Sequence, residues 1–430
     1  MKKQILKMAM LMLLPVAVAA QEQQAPSDQP LQLSLKEAVD HAVKYSKQLQ
    51  TSQKDVEIYK EQIRETASAC WPQLSAKLGY TTYFGKSLNM GGMEIKMEDA
   101  SDIVATASWT LNAQSIVGIQ VSKLAAKLTE QQSISTELTV KENVVNTYYA
   151  ILVYEENIKI LKRNLENMTE IQNHTQNQYE AGVCEATDVD QIRISVGSIK
   201  NSLLATERTC EVTRQLLALQ LGLPTGQRIA VSSNLDELLG QGTLVASADS
   251  ASFRLEENVD YKTMELSRQV GEKTLSMRKW AYAPTLTAAY QYTHNFTGGF
   301  MSFDHVGTLT LNIPIFQGFK RDSQIKQAKL DLAKTETNMS LLQDQLLQQD
   351  MQYRFELNSA YETYLLQKEN VEVAKRVFDN YKHKYDQGAV SSMDLTQANT
   401  NYLTAESNLA SASLQVLMAK TTLDKLYNAL

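Results

Sequence analysis

The stretch that decides the fold runs from Tyr385 to Leu430 and reads YDQGAVSSMDLTQANTNYLTAESNLASASLQVLMAKTTLDKLYNAL. After Asp394, apolar residues alternate at intervals of three and four for five heptads without a slip. They are Leu395, Ala398, Tyr402, Ala405, Leu409, Ala412, Val416, Ala419, Leu423, Leu426 and Leu430. This spacing predicts a helix that packs knobs into holes, and the alanines let a neighbouring helix approach closely. In the helix before the turn, a matching apolar seam is formed by Val371, Ala374, Phe378, Tyr381 and Tyr385.

The helices before the turns are predicted to be very long. Neither 119–181 nor 319–387 contains a glycine or a proline. At about 1.5 Å per residue, a continuous helix over either stretch would reach roughly 95–100 Å. That is about three times the ~30 Å hydrocarbon core of a membrane, and far beyond the mean helix of ~11–12 residues in globular proteins. Such helices could cross a periplasm.

The chain is an internal duplication. The motif Tyr179-Glu-Ala-Gly182 followed by Asp188 recurs as Tyr385-Asp-Gln-Gly388 followed by Asp394, and the Pro72-Gln-Leu entry recurs as Pro284-Thr-Leu. A repeat this regular sets the architecture. We predict repeat 1 at 32–222 and repeat 2 at 255–430, each with a helix, a strand pair, a long helix, a turn (near 182–188 and 388–394) and a helix. The linker 223–254 is expected outside the helical body.

Each repeat also contains a predicted strand pair, 74–84 with 103–112 and 285–294 with 305–316. There the apolar period changes to two, with Tyr80, Trp109, Tyr290 and Tyr292 on the apolar face and Thr, Ser, Asn and Gln opposite. This alternation is typical of transmembrane strands, whose aromatic face contacts lipid. An ordinary half-buried hairpin is the alternative. In lipid, four strands cannot close a barrel and an open edge is costly, so two or three chains would have to share one.

The ends and the composition indicate an exported protein without catalytic chemistry. A basic start, an apolar run from Met8 to Ala20 and small residues at its end predict a signal peptide at 1–20, followed by a tail at 21–31. The net charge of −6 argues against a nucleic-acid partner. The three cysteines fit neither a disulfide framework nor a metal motif. With scattered histidines and no phosphate loop or nucleophile elbow, we expect no enzyme and no cofactor.

The two Tyr-x-x-Gly-x-x-x-x-x-Asp turns and the Pro-x-Leu strand entries, in this order, resemble the TolC family of outer-membrane efflux and secretion channels. The resemblance covers Leu33 to Leu430. It implies a mainly α fold with transmembrane β: a homotrimer in which four strands per protomer complete a 12-stranded barrel in outer-membrane lipid, above a periplasmic tunnel of coiled-coil hairpins. It also implies a Gram-negative outer membrane, a periplasmic adaptor and an inner-membrane transporter of the RND or ABC class, serving efflux or type I secretion.

Two alternatives would leave part of the pattern unexplained. A periplasmic adaptor would have one helical hairpin flanked by β domains, whereas this chain has two hairpins and alternating strand pairs. An exported soluble coiled-coil scaffold would leave the aromatic strand faces without a role. The sequence names neither the cargo nor the cognate pump and adaptor.

The resemblance places the tip turns, Tyr179, Gly182 and Gly388, at the periplasmic end. It implies a constriction at Asp394, with Gln397 where a second acidic residue is usual and with Asp188 and Asp190 near the same level. A trimer would then carry three carboxylates there rather than six, which puts strong cation selectivity in question. The local alternative for Asp188 and Asp394 is helix capping and favourable contact with the helix dipole.

The family also implies a latch that holds the entrance shut, for which Tyr385 and Asp188 are the candidates. An arginine often supports that latch, but Val390 occupies the matching position. Cys184, two residues past Gly182, is expected to be exposed at the tip and to have no redox role.

Overall fold

The computed structural model describes residues 31–91, 93–96, 99–224, 226–240, 253–297 and 303–430. The predicted signal peptide at 1–20, the tail up to residue 30 and residues 241–252 of the predicted linker lie outside the described residues.

Repeat 1 begins with a short strand and ends at the close of the first hairpin. Its elements are β1 (Leu31–Leu33), α1 (Leu35–Tyr45), α2 (Lys47–Ser68), β2 (Gln73–Thr81), β3 (Ser87–Met90), β4 (Met93–Lys96), β5 (Ala100–Asn112), α3 (Ala113–Glu180) and α4 (Ala186–Gln220). The connecting segment contains β6 (Ile229–Val231) and the short helix α5 (Leu235–Gly240). Repeat 2 contains α6 (Val259–Trp280), β7 (Thr285–Thr297), β8 (His305–Asn312), α7 (Lys320–Asp386) and α8 (Ser392–Leu426).

The predicted mainly α fold with long helices and a contribution of β-strands is confirmed: α3 and α7 are single helices of 68 and 67 residues. The heptad seam of α8 lies against its neighbours, with Leu395, Val416 and Leu423 at 2 % exposure or less. In α4 the matching positions are also buried, including Ile192 and Cys210, both 0 % exposed. Among the described helices, none combines the length and the apolar character needed to cross a bilayer.

The helices form one layer with two unpartnered edges. Nearer the strands the neighbours run α2–α3–α6–α7, and nearer the turns α3 packs against α4 and α8 while α8 packs against α7. The α7 edge exposes Leu330, Leu341, Met351, Phe355, Leu366 and Val373, and the α4 edge exposes Ile194, Val212 and Leu219. Large apolar side chains in water cost free energy in proportion to their area, so both edges are suited to further helices.

The four long strands form one sheet in the order β2–β5–β7–β8, antiparallel throughout. The two strand pairs meet at β5 and β7. Their register puts the predicted apolar residues on one face, with Trp109 opposite Ala288, Tyr290 opposite Ala107 and Tyr292 opposite Ala105. The other face carries rows such as Thr110–Thr287–Thr310. One face is therefore apolar and the other polar across the whole sheet.

The strands differ from the predicted bounds at several ends: β2 begins at Gln73, β5 begins at Ala100 and β7 extends to Thr297, while two strands are shorter than predicted. The first strand was predicted to reach residue 84 but ends at Thr81, and the separate hairpin of β3 and β4 follows it. The last strand was predicted to reach residue 316 but ends at Asn312. Pro314, two residues later, has no backbone N–H for a ladder hydrogen bond.

The connecting segment is tied to the helical body by a small parallel sheet. β1 pairs with β6 from Leu31 to Leu33. The hydroxyl of Tyr148, fully buried on α3, donates to the Leu33 carbonyl at 3.0 Å and lies 2.9 Å from the hydroxyl of Ser233. The start of the described chain is thus fixed against the middle of α3.

Candidate functional site

Each hairpin has one turn between its two helices, and the two turns share the same backbone hydrogen-bond pattern. Gly182 and Gly388 have φ angles of 74° and 70°. In the first turn the Gly182 N–H donates to the Tyr179 carbonyl and the Val183 N–H to the Gln178 carbonyl; in the second, the donors are Gly388 and Ala389. This is the Schellman pattern, which favours glycine because the left-handed conformation is strained for residues with a Cβ.

The helices that leave the turns begin with capping boxes. Ser391 and Asp394 cap α8 reciprocally, and Glu185 and Asp188 do the same for α4. Asp394 is exposed and its carboxylate accepts the Ser391 N–H at 3.2 Å. The local capping role expected for Asp188 and Asp394 is therefore present, and it leaves the Asp394 carboxylate at the surface of the protomer.

The other constriction candidates also lie at the surface. Asp190 is 3.6 Å from Arg193 in an exposed ion pair. Gln397 is exposed and donates to Asn401 at 2.9 Å. Both contacts join side chains of one helix, so neither ties the two hairpins together.

Asp188 links the two turns through a hydrogen bond to Ser392. The Ser392 hydroxyl at the start of α8 donates to Asp188 Oδ1 at 2.5 Å, while Asp188 Oδ2 accepts the Glu185 N–H at 3.2 Å. The hydroxyl of Tyr385 lies 2.6 Å from that of Thr175 on α3. The described hydrogen bonds of the protomer thus pair Tyr385 with Thr175 and Asp188 with Ser392, and the latch of Tyr385 with Asp188 stays a prediction.

Tyr385 remains close enough to Asp188 to respond to its charge. Burial is the main cause that raises the pKa of Tyr385, and the charges of Cys184, Asp188 and Asp386 raise it further. The phenol is therefore neutral at physiological pH. Val390 packs on the apolar cluster around Tyr385.

Cys184 is less exposed than expected. Its side chain is half-buried and the thiol lies 3.5 Å from the carbonyl of Thr175. Burial, followed by the charge of Asp188, raises the pKa of the Cys184 thiol, which disfavours the reactive thiolate.

Above the turns, the seam between the hairpins (α3 against α8) contains further buried polar pairs. Asn164 and Asn399 exchange amide hydrogen bonds at 2.8 and 3.3 Å and are 3 % and 1 % exposed. About two turns further along α8 from Asn399, the buried Glu406 forms an ion pair with Arg163, which neighbours Asn164 on α3. Burial and a hydrogen bond to Glu406 raise the pKa of Tyr402 to about 12. We call these contacts, with Thr175–Tyr385 and Asp188–Ser392, the polar seam.

Sequence reasoning missed Arg163, Asn164, Thr175, Asn399 and Glu406. The duplication holds a signal that could have found two of them. The positions of repeat 1 that match Asn399 and Glu406 hold Arg193 and Lys200, and both of these residues are exposed. A polar residue beside a heptad seam that differs between copies marks a contact made by only one hairpin.

The aromatic residues of the apolar strand face are exposed in the protomer. Tyr80, Trp109, Tyr290 and Tyr292 are between 38 % and 69 % accessible. Three of them have a partner for their polar atom: the Trp109 indole donates to the Cys70 carbonyl at 2.9 Å, the Tyr80 hydroxyl donates to Asp99 at 2.9 Å, and the Tyr290 hydroxyl lies 2.7 Å from Nδ1 of His305. The exposed rings with satisfied polar ends match what a membrane-facing aromatic side chain needs.

Long paired helices below a sheet with one apolar and one polar face define an outer-membrane channel protein. The model of the outer membrane efflux protein family matches residues 38–223 and 254–429. The chain belongs to this family. Its members are conduits rather than enzymes, and the protein resides in the outer membrane with its helical part in the periplasm.

Similar proteins agree with this assignment. The chain is 29 % identical over 108 residues to toxin and drug export protein A of Aggregatibacter actinomycetemcomitans, a match that spans about a quarter of each protein (25 % and 24 %). The Campylobacter jejuni CmeC channel has 17 % identity and a TM-score of 0.72 over 92 % of this chain and 85 % of CmeC. The open-state Neisseria gonorrhoeae MtrE channel has 16 % identity and a TM-score of 0.73 over 91 % and 88 %.

Proposed function

We propose that the protein is the outer-membrane conduit of a tripartite export system. Three copies share a twelve-stranded barrel, and their hairpins enclose a periplasmic tunnel that receives cargo from an inner-membrane pump of the RND or ABC class and a periplasmic adaptor. The observation that carries the proposal is the incomplete protomer: a sheet of four strands and a helical layer that both end in open edges.

Membrane physics supports closure by several chains. Unpaired strand edges in hydrocarbon leave backbone groups without partners, at several kcal/mol each. β2 and β8 are the edge strands of the described sheet, so a neighbour's β8 next to β2 removes both edges. The same head-to-tail arrangement brings Phe355, Leu366 and Val373 of α7 against the α4 edge of the next protomer, and the part of α7 nearer the strands against its α2 edge. Such an interface closes into a ring when the rotation permits.

The tip is the proposed gate of this conduit. Its constriction is formed by Asp394, Gln397, Asp188 and Asp190. In the latch, Tyr385 bonds to Thr175 and Asp188 accepts a hydrogen bond from Ser392. The polar seam supports this role because its hydrogen bonds and ion pair join the two hairpins, alongside one apolar cluster that contains residues of both. Parting the seam would expose polar groups to water, at much smaller cost than exposing an apolar seam.

Conductance in a planar lipid bilayer tests the conduit function. The purified protein should insert and give discrete current steps, small in the parent and larger when the polar seam is weakened. A protein that gives no steps while binding lipid or a coiled-coil partner would instead behave as a scaffold. A sample lacking β2 to β5 provides the negative control for insertion.

A further inference from the structure

Five large aromatic side chains lie where helices and strands meet. Trp71 precedes β2, Trp280 and Tyr282 precede β7, and Phe316 and Phe319 follow β8. Each is between 48 % and 73 % exposed. We call this group the junction collar. It is separate from the predicted aromatic face of the strands, although Trp109 reaches it by donating to the carbonyl of Cys70, next to Trp71.

Four basic residues accompany the collar. Arg278 and Lys279 end α6, and Lys320 and Arg321 begin α7. The Arg321 guanidinium lies 5.5 Å from the centre of the Tyr282 ring, which brings the two pairs to one place. Within the described residues, none of the four forms an ion pair with a carboxylate, whereas the adjacent Asp322 pairs with Lys326 at 2.7 Å. A local excess of cations is thus present in a protein of net charge −6.

Comparison of the two repeats shows that the basic pairs occur in repeat 2 and not at the matching positions of repeat 1. At the positions of copy 1 that match Arg278 and Lys279, the chain has Thr66 and Ala67. At those that match Lys320 and Arg321, it has Gln120 and Val121. The helix-to-strand junction itself therefore does not require positive charge, and the patch needs another explanation.

Exposed aromatic rings beside unpaired basic side chains fit the boundary of a membrane. Indole and phenol rings concentrate at headgroup level, and basic residues there are attracted to anionic lipid. We propose that the junction collar of repeat 2 binds the headgroups of anionic glycerophospholipids in the periplasmic leaflet, once per protomer. The inference rests on the proposed function, because the collar reaches that leaflet only if the sheet forms part of a membrane barrel.

Native mass spectrometry of the intact channel in mild detergent tests the proposal. The probes are phosphatidylglycerol and phosphatidylcholine with the same acyl chains. Near an anionic surface each basic side chain contributes about a fivefold preference. The parent should therefore retain phosphatidylglycerol at least about tenfold better, and the variant Arg278→Gln/Lys279→Gln/Lys320→Gln/Arg321→Gln should bring the two lipids within about twofold.

A charge-matched variant supplies the control. Replacing Lys200, Arg208, Lys368 and Lys375 by Gln removes four charges from exposed helical positions far from the junctions, and it should keep the preference. Equal retention of both lipids by a trimeric parent would overturn the proposed lipid binding by the collar and would leave the proposed channel function standing. A parent that does not form a membrane-extracted oligomer would instead contradict the proposed function. Loss of preference in the control variant as well would show that net charge, rather than the collar, selects the lipid.

Discussion

Replacing Asn399 by leucine should open the channel, and replacing both Asn399 and Asn164 should close it again. The two amides are buried and, among the described residues, they bond to each other across the seam between the hairpins. In Asn399→Leu the Asn164 amide is left buried without its partner as long as the seam stays joined. When the seam parts, water solvates that amide. The single substitution therefore penalises the joined state selectively.

The magnitude follows from the cost of one unpaired buried amide, about 1–3 kcal/mol. If the three seams of a trimer part together, the joined state loses about 3–9 kcal/mol relative to the open state. Since a factor of ten corresponds to about 1.4 kcal/mol, the ratio of open to closed channels should rise at least about 100-fold. In the double variant Asn164→Leu/Asn399→Leu two apolar side chains face each other, which favours the joined state.

Single-channel recording in planar bilayers measures this ratio. Asn399→Leu should show long-lived, high-conductance openings, and the double variant should return to the parent's small conductance or below it. Asn408→Leu, an exposed position on the same helix, is the matched control and should resemble the parent. A double variant more open than Asn399→Leu would refute the reasoning, because the effect would then come from lost packing rather than from an unpaired amide.

Three further outcomes are expected. Asp394→Ala removes both the capping box of α8 and the proposed constriction carboxylate, so single-channel conductance should rise; unchanged conductance and selectivity would count against Asp394 as a gate. The pKa of Tyr402 is raised to about 12 in the folded protein, so folding favours its neutral form. This contribution to stability is fully present below the unfolded pKa of about 10 and is lost as pH rises toward 12. Thermal unfolding followed by circular dichroism should thus show a smaller alkaline loss in Tyr402→Phe, and equal losses would exclude the effect. In a Cys70→Ser background, maleimide should label Cys184 slowly, and the additional substitution Asn399→Leu should make the labelling faster by opening the seam. Rapid labelling in the closed parent would contradict the half-buried position of Cys184.

Much of the fold could be predicted because local sequence rules agree with the tertiary structure. Scarce glycine and proline, together with strict heptads, leave long paired helices as the consistent solution, and the alternation around Trp109 and Tyr290 puts the apolar residues on one sheet face. The joining of the strand pairs at β5 and β7, and the pairing of β1 with β6, depend on contacts between distant segments. No local periodicity encodes them.

The site was predicted only at the level of position. The turns at Gly182 and Gly388 could be located because glycine and the following aspartate have defined backbone roles. Which hydroxyl Tyr385 would bond depends on how the packed helices are rotated about their axes, which sequence spacing does not encode. Thr175 lies on α3 at a distance of 210 residues from Tyr385, so its role emerges only when both hairpins are packed.

The mass of the particle extracted in mild detergent from isolated outer membranes tests the central claim most directly. A particle of three chains that resists dissociation would show that protomers complete one barrel and one tunnel, as the open edges of the sheet and helical layer require. A monomer recovered from the soluble fraction would contradict the account, because four strands and one open helical layer cannot by themselves form a conduit.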